Sequence, residues 1–267
     1  MRNVWWRSHQ ITVELTEMQH RTLRDIVYEE CGINLHEGKH ELLKARLAKR
    51  MRIVKTREVS EYLKVIEADP KEFVNFIDAV STNHTYFFRE NHHCEFVVKN
   101  TDKSEYLKIW SSACSSGEEP YSIAIQLLEG GYRFDIVASD ISNTMLDVAR
   151  RGIYHKDKVR FVPKRALREY FQRGQKKWEE FVRVKTTVKS LVAFGRHNLV
   201  TDMSPGEFNI IFCRNVMIYF DDTTKQQVVE KLYGSLRKGG LLILGAAEGL
   251  VKIRHGFQYV QPSIYRK

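Results

Sequence analysis

Phe208-Asn-Ile-Ile-Phe-Cys-Arg-Asn-Val-Met-Ile-Tyr-Phe-Asp221 is apolar enough to form a buried strand, yet it carries Arg214 and Asn215 at its middle. Burying an unpaired amide costs roughly 2 to 7 kcal/mol, and burying an unpaired charge costs more. The two side chains must therefore lie where the strand ends and polar partners are available. In open α/β sheets, that place is the ligand crevice at the carboxyl ends of the strands.

The segments around this stretch alternate between strand-like and helix-like patterns. Short apolar runs bounded by turn residues predict strands at 107–110, 134–138, 192–194, 208–213 and 241–244. Apolar residues at helical spacing predict helices at 115–128, 143–151 and 223–236. Strands that alternate with helices predict an α/β fold class with a doubly wound, mainly parallel sheet.

The first third of the chain lacks this alternation and has helical patterns instead. Apolar side chains recur at helical spacing at 23–31, 42–51 and 73–80. Such stripes indicate helices that bury one face against each other. We therefore expect a small all-helical domain at residues 1–88, followed by the α/β domain at residues 89–267.

The 267 residues carry a formal net charge of +10, and two segments hold a basic excess. Residues 39–57 contain eight Lys or Arg and one acid, and residues 150–189 contain fourteen Lys or Arg and four acids. Two basic surfaces suggest an acidic macromolecular partner, which is nucleic acid, an anionic membrane or an acidic protein. Charge alone does not distinguish these three classes.

The cysteines and the apolar runs exclude other classes of protein. The four cysteines show no Cys-x-x-Cys spacing, which argues against a disulfide framework and a structural zinc site. His92-His93-Cys94 has no recognisable metal spacing either. No apolar run approaches the ~18 residues of a membrane span, and residues 1–7 are not followed by the apolar region of a signal peptide. We expect a cytoplasmic protein that binds no metal and is not inserted in a membrane.

The turn between the first strand and helix of the predicted α/β domain reads Trp110-Ser-Ser-Ala-Cys-Ser-Ser-Gly-Glu-Glu-Pro-Tyr-Ser122. Small residues allow the backbone to approach a ligand closely. The turn lacks the second and third glycines of a dinucleotide fingerprint. Glu118 and Glu119 would repel a pyrophosphate at the helix start, but they would accept hydroxyl groups or a cation. The turn therefore predicts a cofactor without phosphate.

Asp140 ends the second predicted strand, roughly 20 residues after Gly117, which is the offset at which an acid binds ribose hydroxyls in nucleotide folds. Adenosine without phosphate fits S-adenosylmethionine (AdoMet). Taken singly, Asp140 is equally consistent with a turn residue, and Glu118 and Glu119 with residues that interact with the helix dipole. In this order, the three acids favour AdoMet as the cofactor.

Five motifs, read in chain order, resemble those of the CheR-type chemotaxis receptor methyltransferases. They are Asn83-His-Thr-Tyr-Phe-Phe-Arg-Glu90, the turn at 110–122, Ser139-Asp-Ile-Ser142, Asn198-Leu199 and Phe212-Cys-Arg-Asn-Val-Met-Ile-Tyr-Phe-Asp221. The resemblance covers roughly the whole chain, including the helical first third. It implies a helical domain joined to a Rossmann-like, AdoMet-dependent methyltransferase domain, with a small inserted β subdomain at about 155–197.

The resemblance also implies roles for the matched positions. Asn83, Thr85 and Arg89 match positions that close over the cofactor. Glu118 and Asp140 match positions that hold its methionyl and adenosyl parts, with Glu118 preferred over Glu119. Asn198, Leu199, Arg214 and Asn215 match positions around the adenine and the reaction pocket. Arg89 and Tyr219 match residues implicated in catalysis.

The implied reaction is methyl transfer from AdoMet to glutamate carboxylates of chemotaxis receptors, which gives glutamyl methyl esters and S-adenosylhomocysteine (AdoHcy). Two alternatives stay open. One is an AdoMet enzyme that modifies RNA, whose phosphates the basic surfaces would contact, and the other is an inactive relative that serves as a binding module. No base-stacking motif is evident and no matched cofactor position is lost, so we expect a receptor enzyme that binds no nucleic acid. No extended apolar face is evident, so we expect a monomer.

The implied partner is the helical cytoplasmic region of the receptors, and the predicted docking element is a basic helix at about 40–57. Arg46, Lys49 and Arg50 share one face of that helix and would suit an acidic receptor helix. The same charges are also typical of a solvated helix face. In the β subdomain, Gln175-Lys-Lys-Trp178 stands where peptide-binding members have a second glycine, so binding of a receptor peptide is left open.

Overall fold

A computed structural model of the protein describes residues 13–35 and 40–267. The prediction about the opening segment 1–7, and Lys39 of the basic segment, lie outside the described residues. The chain divides into two compact units, Met1–Ser81 and Thr82–Lys267. The sequence places this boundary later, after residue 88.

The first unit is built from four described helices: α1 (Glu17–Cys31), α2 (His40–Val54), α3 (Val59–Ala68) and α4 (Pro70–Val80). Thr16 starts α1 with a reciprocal cap, because its side chain accepts from the Gln19 N–H while the Gln19 side chain accepts from the Thr16 N–H. Gly32, at φ 68°, ends the helix. Asp69 caps α4, and Pro70 occupies its first position, where no N–H is required.

The core of the first unit contains a buried ion pair among apolar side chains. The carboxylate of Glu72 is 3% exposed and lies against the guanidinium of Arg50, with Nε 3.0 Å from Oε1. The hydroxyl of Tyr62 donates to the same Oε1 at 2.6 Å. The charge of Arg50 is therefore balanced inside the unit.

The second unit contains ten strands and six α-helices. The helices are α5 (His92–Asn100), α6 (Glu118–Gly130), α7 (Asn143–Arg151), α8 (Lys164–Tyr170), α9 (Thr186–Lys189) and α10 (Asp222–Ser235). The strands are β1 (Tyr106–Ser112), β2 (Arg133–Asp140), β3 (Ile153–His155), β4 (Phe171–Arg173), β5 (Phe181–Val184), β6 (Val192–Arg196), β7 (Phe208–Cys213), β8 (Leu236–Leu244), β9 (Gln258–Gln261) and β10 (Ile264–Arg266).

Seven of these strands form one sheet in the order β6-β2-β1-β7-β8-β10-β9. The first five are parallel to their neighbours, and β10 runs antiparallel to both β8 and β9. The predicted α/β class with a doubly wound, mainly parallel sheet is confirmed. The sequence did not reveal β9 and β10, which add the antiparallel edge.

The strand order changes direction at β1, which lies between β2 and β7. In register, Ser112 of β1 pairs with Ser139 of β2 and with Cys213 of β7. The three strands therefore end side by side, and the segments that follow them emerge at one edge of the sheet. A crevice at such a switch point is the usual ligand site in this type of fold.

The remaining three strands form a small antiparallel sheet in the order β3-β5-β4, which confirms the predicted β subdomain. Phe87 packs edge to face against Tyr154 and Phe171, with ring centroids 4.9 and 5.2 Å apart. Phe87 thus belongs to the core of the second unit, which is why the chain divides before the 83–90 segment. Among the described helices, none is both long and apolar enough to cross a membrane.

Candidate functional site

The segment 83–90 is tied to the start of α6 by its backbone. Ser115 Oγ donates to the carbonyl of Asn83 at 3.3 Å, and the Phe88 N–H donates to Ser122 Oγ at 2.9 Å. The ammonium of Lys158 donates to the carbonyl of Thr85 at 3.0 Å. The motif that carries Asn83 and Thr85 therefore lies at the carboxyl edge of the sheet.

Glu118 is the first residue of α6, and its side chain is fully buried. Its Oε2 accepts from Ser116 Oγ at 2.6 Å, whereas its Oε1 has no hydrogen-bond donor. The ammonium of Lys158 lies 3.2 Å from Oε1 as a charge partner. Because this buried oxygen has a charge partner but no hydrogen bond, it can accept a hydrogen bond from a ligand.

The turn before Glu118 requires glycine at position 117. Gly117 has φ 91°, and a Cβ atom there would lie 2.8 Å from Cβ of Ala149 on α7. Both the backbone conformation and the close approach exclude a side chain. The glycine therefore brings the start of α6 against α7 and places the Glu118 carboxylate in the crevice.

Asp140 ends β2 and holds two turns of the crevice. Its Oδ2 accepts from the Ser115 N–H at 2.7 Å, and its Oδ1 accepts from the Ser142 N–H at 2.9 Å. Asn198 follows β6, the neighbouring strand, where its Oδ1 accepts from the Val200 N–H at 3.0 Å. Asn198 is buried, and Leu199 beside it is half-buried. Both predicted adenosine positions thus follow adjacent strands of the sheet.

Arg214 lies one residue beyond β7, where both terminal nitrogens of its buried guanidinium have polar partners and Nε has no hydrogen-bond partner within the described part of the chain. Its Nη2 donates to the carbonyl of Arg89 at 2.6 Å and to Glu90 Oε2 at 3.2 Å. Its Nη1 lies 3.3 Å from Glu119 Oε2. The carboxylate of Glu119 also accepts from Ser111 Oγ at 2.7 Å. Glu119 is therefore hydrogen-bonded and ion-paired within the protein, whereas Glu118 Oε1 has the charge of Lys158 beside it but no hydrogen bond from the residues that the structure describes.

The loop after β7 is held by Glu248, a buried residue just beyond β8. Glu248 Oε2 accepts from the N–H groups of Asn215 and Gly245, each at 2.7 Å, and Oε1 accepts from the Ile218 N–H at 3.2 Å. These bonds hold Asn215 at φ 59°, a conformation that non-glycine residues seldom adopt. Tyr219 is half-buried at the end of the short 3₁₀ helix that follows.

The charged groups around Arg214 have opposite pKa shifts. Burial raises the pKa of Glu119, and the nearby Arg214 charge offsets only part of this effect. Burial also raises the pKa of Glu90, but the Arg214 charge, the Ala246 N–H and the Asn215 amide together have the larger, opposite effect. The pKa of Glu90 therefore lies below its ordinary value. Burial and the charges of Arg214 and His92 lower the pKa of His93 to about 4. Glu90 is thus the stable anion beside Arg214.

Arg89 lies next to this cluster with only weak engagement of its guanidinium. Nη1 donates to the carbonyl of His84 at 3.0 Å, Nε lies 3.7 Å from Glu90 Oε1, and the group lies over the ring of Tyr86 at 5.8 Å. The side chain is a quarter exposed. Its charge therefore remains accessible to a ligand.

The structure brings the predicted cofactor positions of the second unit to one edge of the sheet. Sequence reasoning missed three residues of this region: Glu90, Lys158 and Glu248. A single acid or lysine gives no local signal of burial, although Glu248 does follow the apolar strand β8. Within residues 13–35 and 40–267, no group of three or more His, Cys, Asp or Glu side chains is arranged to hold a metal ion.

The predicted docking residues lie in the first unit, on α2. Lys49 is exposed and Arg46 is half-buried. Arg50 differs from both, because its guanidinium pairs with the buried Glu72. The prediction that all three present their charge to a partner needs correction at Arg50, whose position on the helix turns it toward α4.

The protein has the features of α/β proteins that bind a nucleoside cofactor. These features are a doubly wound sheet, a crevice with buried acids and a helix start without a phosphate-binding glycine pattern. Residues 83–266 match the family model described as CheR methyltransferase, SAM binding domain, and residues 19–81 match CheR methyltransferase, all-alpha domain. The chain belongs to the CheR methyltransferase family, and its cofactor is AdoMet.

Curated proteins from several bacteria are similar to almost the whole chain. The chemotaxis protein methyltransferase 2 of Pseudomonas aeruginosa is 37% identical, over 94% of this chain and 93% of that protein. The chemotaxis protein methyltransferase of Borreliella burgdorferi is 34% identical, over 96% of each. That of Escherichia coli is 34% identical, over 94% of this chain and 91% of that protein. The resemblance read from the motifs is confirmed.

The residues of the crevice fit this cofactor. The α-ammonium group of AdoMet would supply the donor that Glu118 Oε1 lacks. Asp140 is a buried carboxylate at the carboxyl end of β2, and an ionised carboxylate accepts hydrogen bonds from hydroxyl groups.

Proposed function

We propose that this protein transfers the methyl group of AdoMet to glutamate carboxylates of chemotaxis receptors and forms glutamyl methyl esters and AdoHcy. The observation that carries the proposal is the buried oxygen Glu118 Oε1, which lacks a donor at the carboxyl edge of the sheet. The names of the similar proteins, all chemotaxis protein methyltransferases, support the substrate class.

In this proposal, the cofactor contacts are made by residues described above. Glu118 accepts the α-ammonium, and Asp140 accepts the ribose hydroxyls. Asn198 and Leu199 border the adenine, while Asn83 and Thr85 close over the cofactor. Arg214 and Asn215 line the reaction pocket and are held in place by Glu90 and Glu248.

AdoMet, when bound, supplies an electrophilic methyl group on a sulfonium. A substrate glutamate is already an anion at pH 7, so the protein needs no general base. The protein instead positions the two reactants, and positioning lowers the activation barrier by up to ~7 to 11 kcal/mol in ideal cases. We assign Arg89 to guiding the carboxylate and Tyr219 to orienting it. Methyl transfer neutralises the carboxylate, so a tight ion pair with Arg89 would weaken as the reaction proceeds. The loosely engaged guanidinium of Arg89 suits this requirement.

Receptor docking is assigned to the outer face of α2. Leu42, Arg46, Lys49 and Ile53 follow one another at spacings of four, three and four, so they lie along one stripe of the helix. Leu42 and Ile53 are 36% and 55% exposed, and they flank the two basic residues. An acidic, amphipathic receptor helix complements this stripe in charge and in apolar contact. Arg50 contributes through its pair with Glu72, which supports the helix from inside.

The test is incubation of the protein with labelled AdoMet and bacterial membranes that contain the receptors, followed by treatment with alkali. Methyl esters release labelled methanol in base, whereas methylated RNA does not. We expect methanol release with receptor membranes and none with membranes from a strain without receptors. Binding of AdoHcy without any labelled product would instead identify a binding module, and label in RNA would identify an RNA enzyme.

A further inference from the structure

Lys158 reaches from the protein surface to the buried acid Glu118. It lies in the short 3₁₀ helix Lys156–Val159, which follows β3. Its side chain is 42% exposed, whereas that of Glu118 is 0% exposed. The ammonium lies 3.2 Å from Glu118 Oε1 and donates to the carbonyl of Thr85 at 3.0 Å. One cation thus joins two elements of the proposed cofactor crevice.

The hydrogen-bond inventory of this pair is incomplete on both sides. An ammonium has three N–H donors. One is accepted by Thr85, one faces Glu118, and the third has no partner among the described residues. Glu118 Oε1 in turn has no hydrogen-bond donor. The ammonium therefore has one donor without a protein acceptor, and it pairs with Glu118 Oε1 by charge at 3.2 Å without forming a hydrogen bond.

The amino-acid end of AdoMet is complementary to this arrangement. It carries an α-ammonium, which needs an acceptor, and an α-carboxylate, which needs a donor. Two other cations lie in the crevice, but Arg214 pairs with Glu90 and Glu119, and Arg89 is assigned to the carboxylate of the substrate. Lys158 is the cation that lies directly against Glu118.

We propose that Lys158 and Glu118 together bind the zwitterionic end of the cofactor, with Glu118 accepting the α-ammonium and Lys158 donating to the α-carboxylate. This inference rests on the proposed role of Glu118. Lys158 is then a specificity-determining residue, because it increases the affinity for ligands that carry the α-carboxylate. The opposite possibility, in which Lys158 only neutralises Glu118 and competes with the ligand ammonium, has a different experimental signature.

The experiment compares two ligands by isothermal titration calorimetry on the full-length protein. One ligand is AdoHcy, and the other is its decarboxylated analogue, which differs only in the α-carboxylate. We expect the protein to bind AdoHcy at least about tenfold more tightly than the analogue, as is typical of one charge-assisted hydrogen bond. Lys158→Gln should lower the affinity for AdoHcy, leave that for the analogue nearly unchanged, and so remove the preference. Lys158→Arg should retain part of it.

Lys156→Gln is the matched control, because Lys156 belongs to the same short helix but pairs with Glu180 at the surface. This variant should keep the full preference. The inference is overturned if the wild-type protein binds both ligands equally, which needs no variant, or if Lys158→Gln keeps the preference or binds AdoHcy more tightly. A wild-type protein that binds neither ligand would refute the proposed function itself, so the two failures are distinguishable.

Discussion

The guanidinium of Arg214 lies between two acidic side chains, with Nη2 3.2 Å from Glu90 Oε2 and Nη1 3.3 Å from Glu119 Oε2. Glu90 comes from the segment before α5, and Glu119 comes from the first turn of α6. One buried cation after β7 therefore joins three segments around the crevice. The segment 83–90, α6 and the loop after β7 are expected to lose their alignment together when this cation is removed.

Replacing Arg214 by Gln should destabilise the protein by about 3 kcal/mol, because it leaves buried carboxylates without their counter-ion. Urea unfolding followed by circular dichroism measures this loss. Arg237→Gln is the control, since Arg237 pairs with Glu207 at the surface and such a pair contributes only ~0 to 1 kcal/mol. Equal losses in the two variants would contradict a structural role for the buried pairs.

Gly117→Ala should destabilise the protein and weaken AdoHcy binding. Alanine at φ 91° is strained, and its Cβ would lie 2.8 Å from Cβ of Ala149. Gly131, at the other end of α6, is the matched control, because it has φ 75° but nothing within 4 Å of an added Cβ. Gly131→Ala should cost about 1 kcal/mol from strain alone, and Gly117→Ala should cost at least about 1 kcal/mol more.

Isothermal titration calorimetry with AdoHcy distinguishes the two glycine variants by their affinity for the ligand. AdoHcy affinity should fall in Gly117→Ala, because the displaced turn carries Glu118, and should stay unchanged in Gly131→Ala. If both variants bind AdoHcy like the wild-type protein, the turn at Gly117 does not position the cofactor.

The sequence predicts the sheet well where local signals are strong. The strand 208–213 and the helix 143–151 are observed with the predicted bounds, because the first is a continuous apolar run and the second ends at Gly152, φ 62°. The short strands β9 and β10 were missed because antiparallel pairing with β8, a distant part of the chain, stabilises them.

The residues of the candidate site could likewise be predicted only where they leave a local signal in the sequence. Arg214 is recognisable in the sequence because it interrupts an apolar run. Lys158 stands in a charged stretch where exposed and buried residues look alike, and Glu248 follows an apolar strand without a local pattern that identifies its partners. Arg50 has the spacing of an exposed basic residue, and only packing against α4 shows that it meets Glu72. Tertiary contacts, which no local pattern encodes, decide these cases.

The buried Glu72 should make the stability of the first unit depend on pH. Burial raises the pKa of Glu72, but the hydrogen bonds from Arg50 and Tyr62 and the Arg50 charge together have the larger, opposite effect. The pKa of Glu72 therefore lies below the ordinary value of 4.5. A carboxyl group whose pKa is lowered by folding stabilises the protein at pH values above its ordinary pKa. That stabilisation is lost as the pH falls through the pKa of the folded state.

Glu72→Gln should therefore reduce hydrogen-exchange protection of α2 and α4 at pH 7. The gap between wild-type protein and variant should narrow as the pH falls below 4.5. Each comparison is made at a single pH, which removes the intrinsic pH dependence of amide exchange. A gap that stays constant down to pH 3 would show that the Glu72 charge does not contribute to the stability of these helices.

Charge reversal on the outer stripe of α2 should weaken docking of the receptor without affecting the cofactor site. Lys49→Glu is expected to raise KM for receptor roughly fivefold, or ~1 kcal/mol, because an exposed pair is lost and a like-charge contact replaces it. Lys64→Glu is the matched control, since Lys64 is also exposed but belongs to α3. Both variants should retain kcat and AdoHcy affinity, and the Lys49 effect should shrink as salt screens the contact. If Lys64→Glu raises KM as much as Lys49→Glu does, net charge rather than the α2 stripe attracts the receptor.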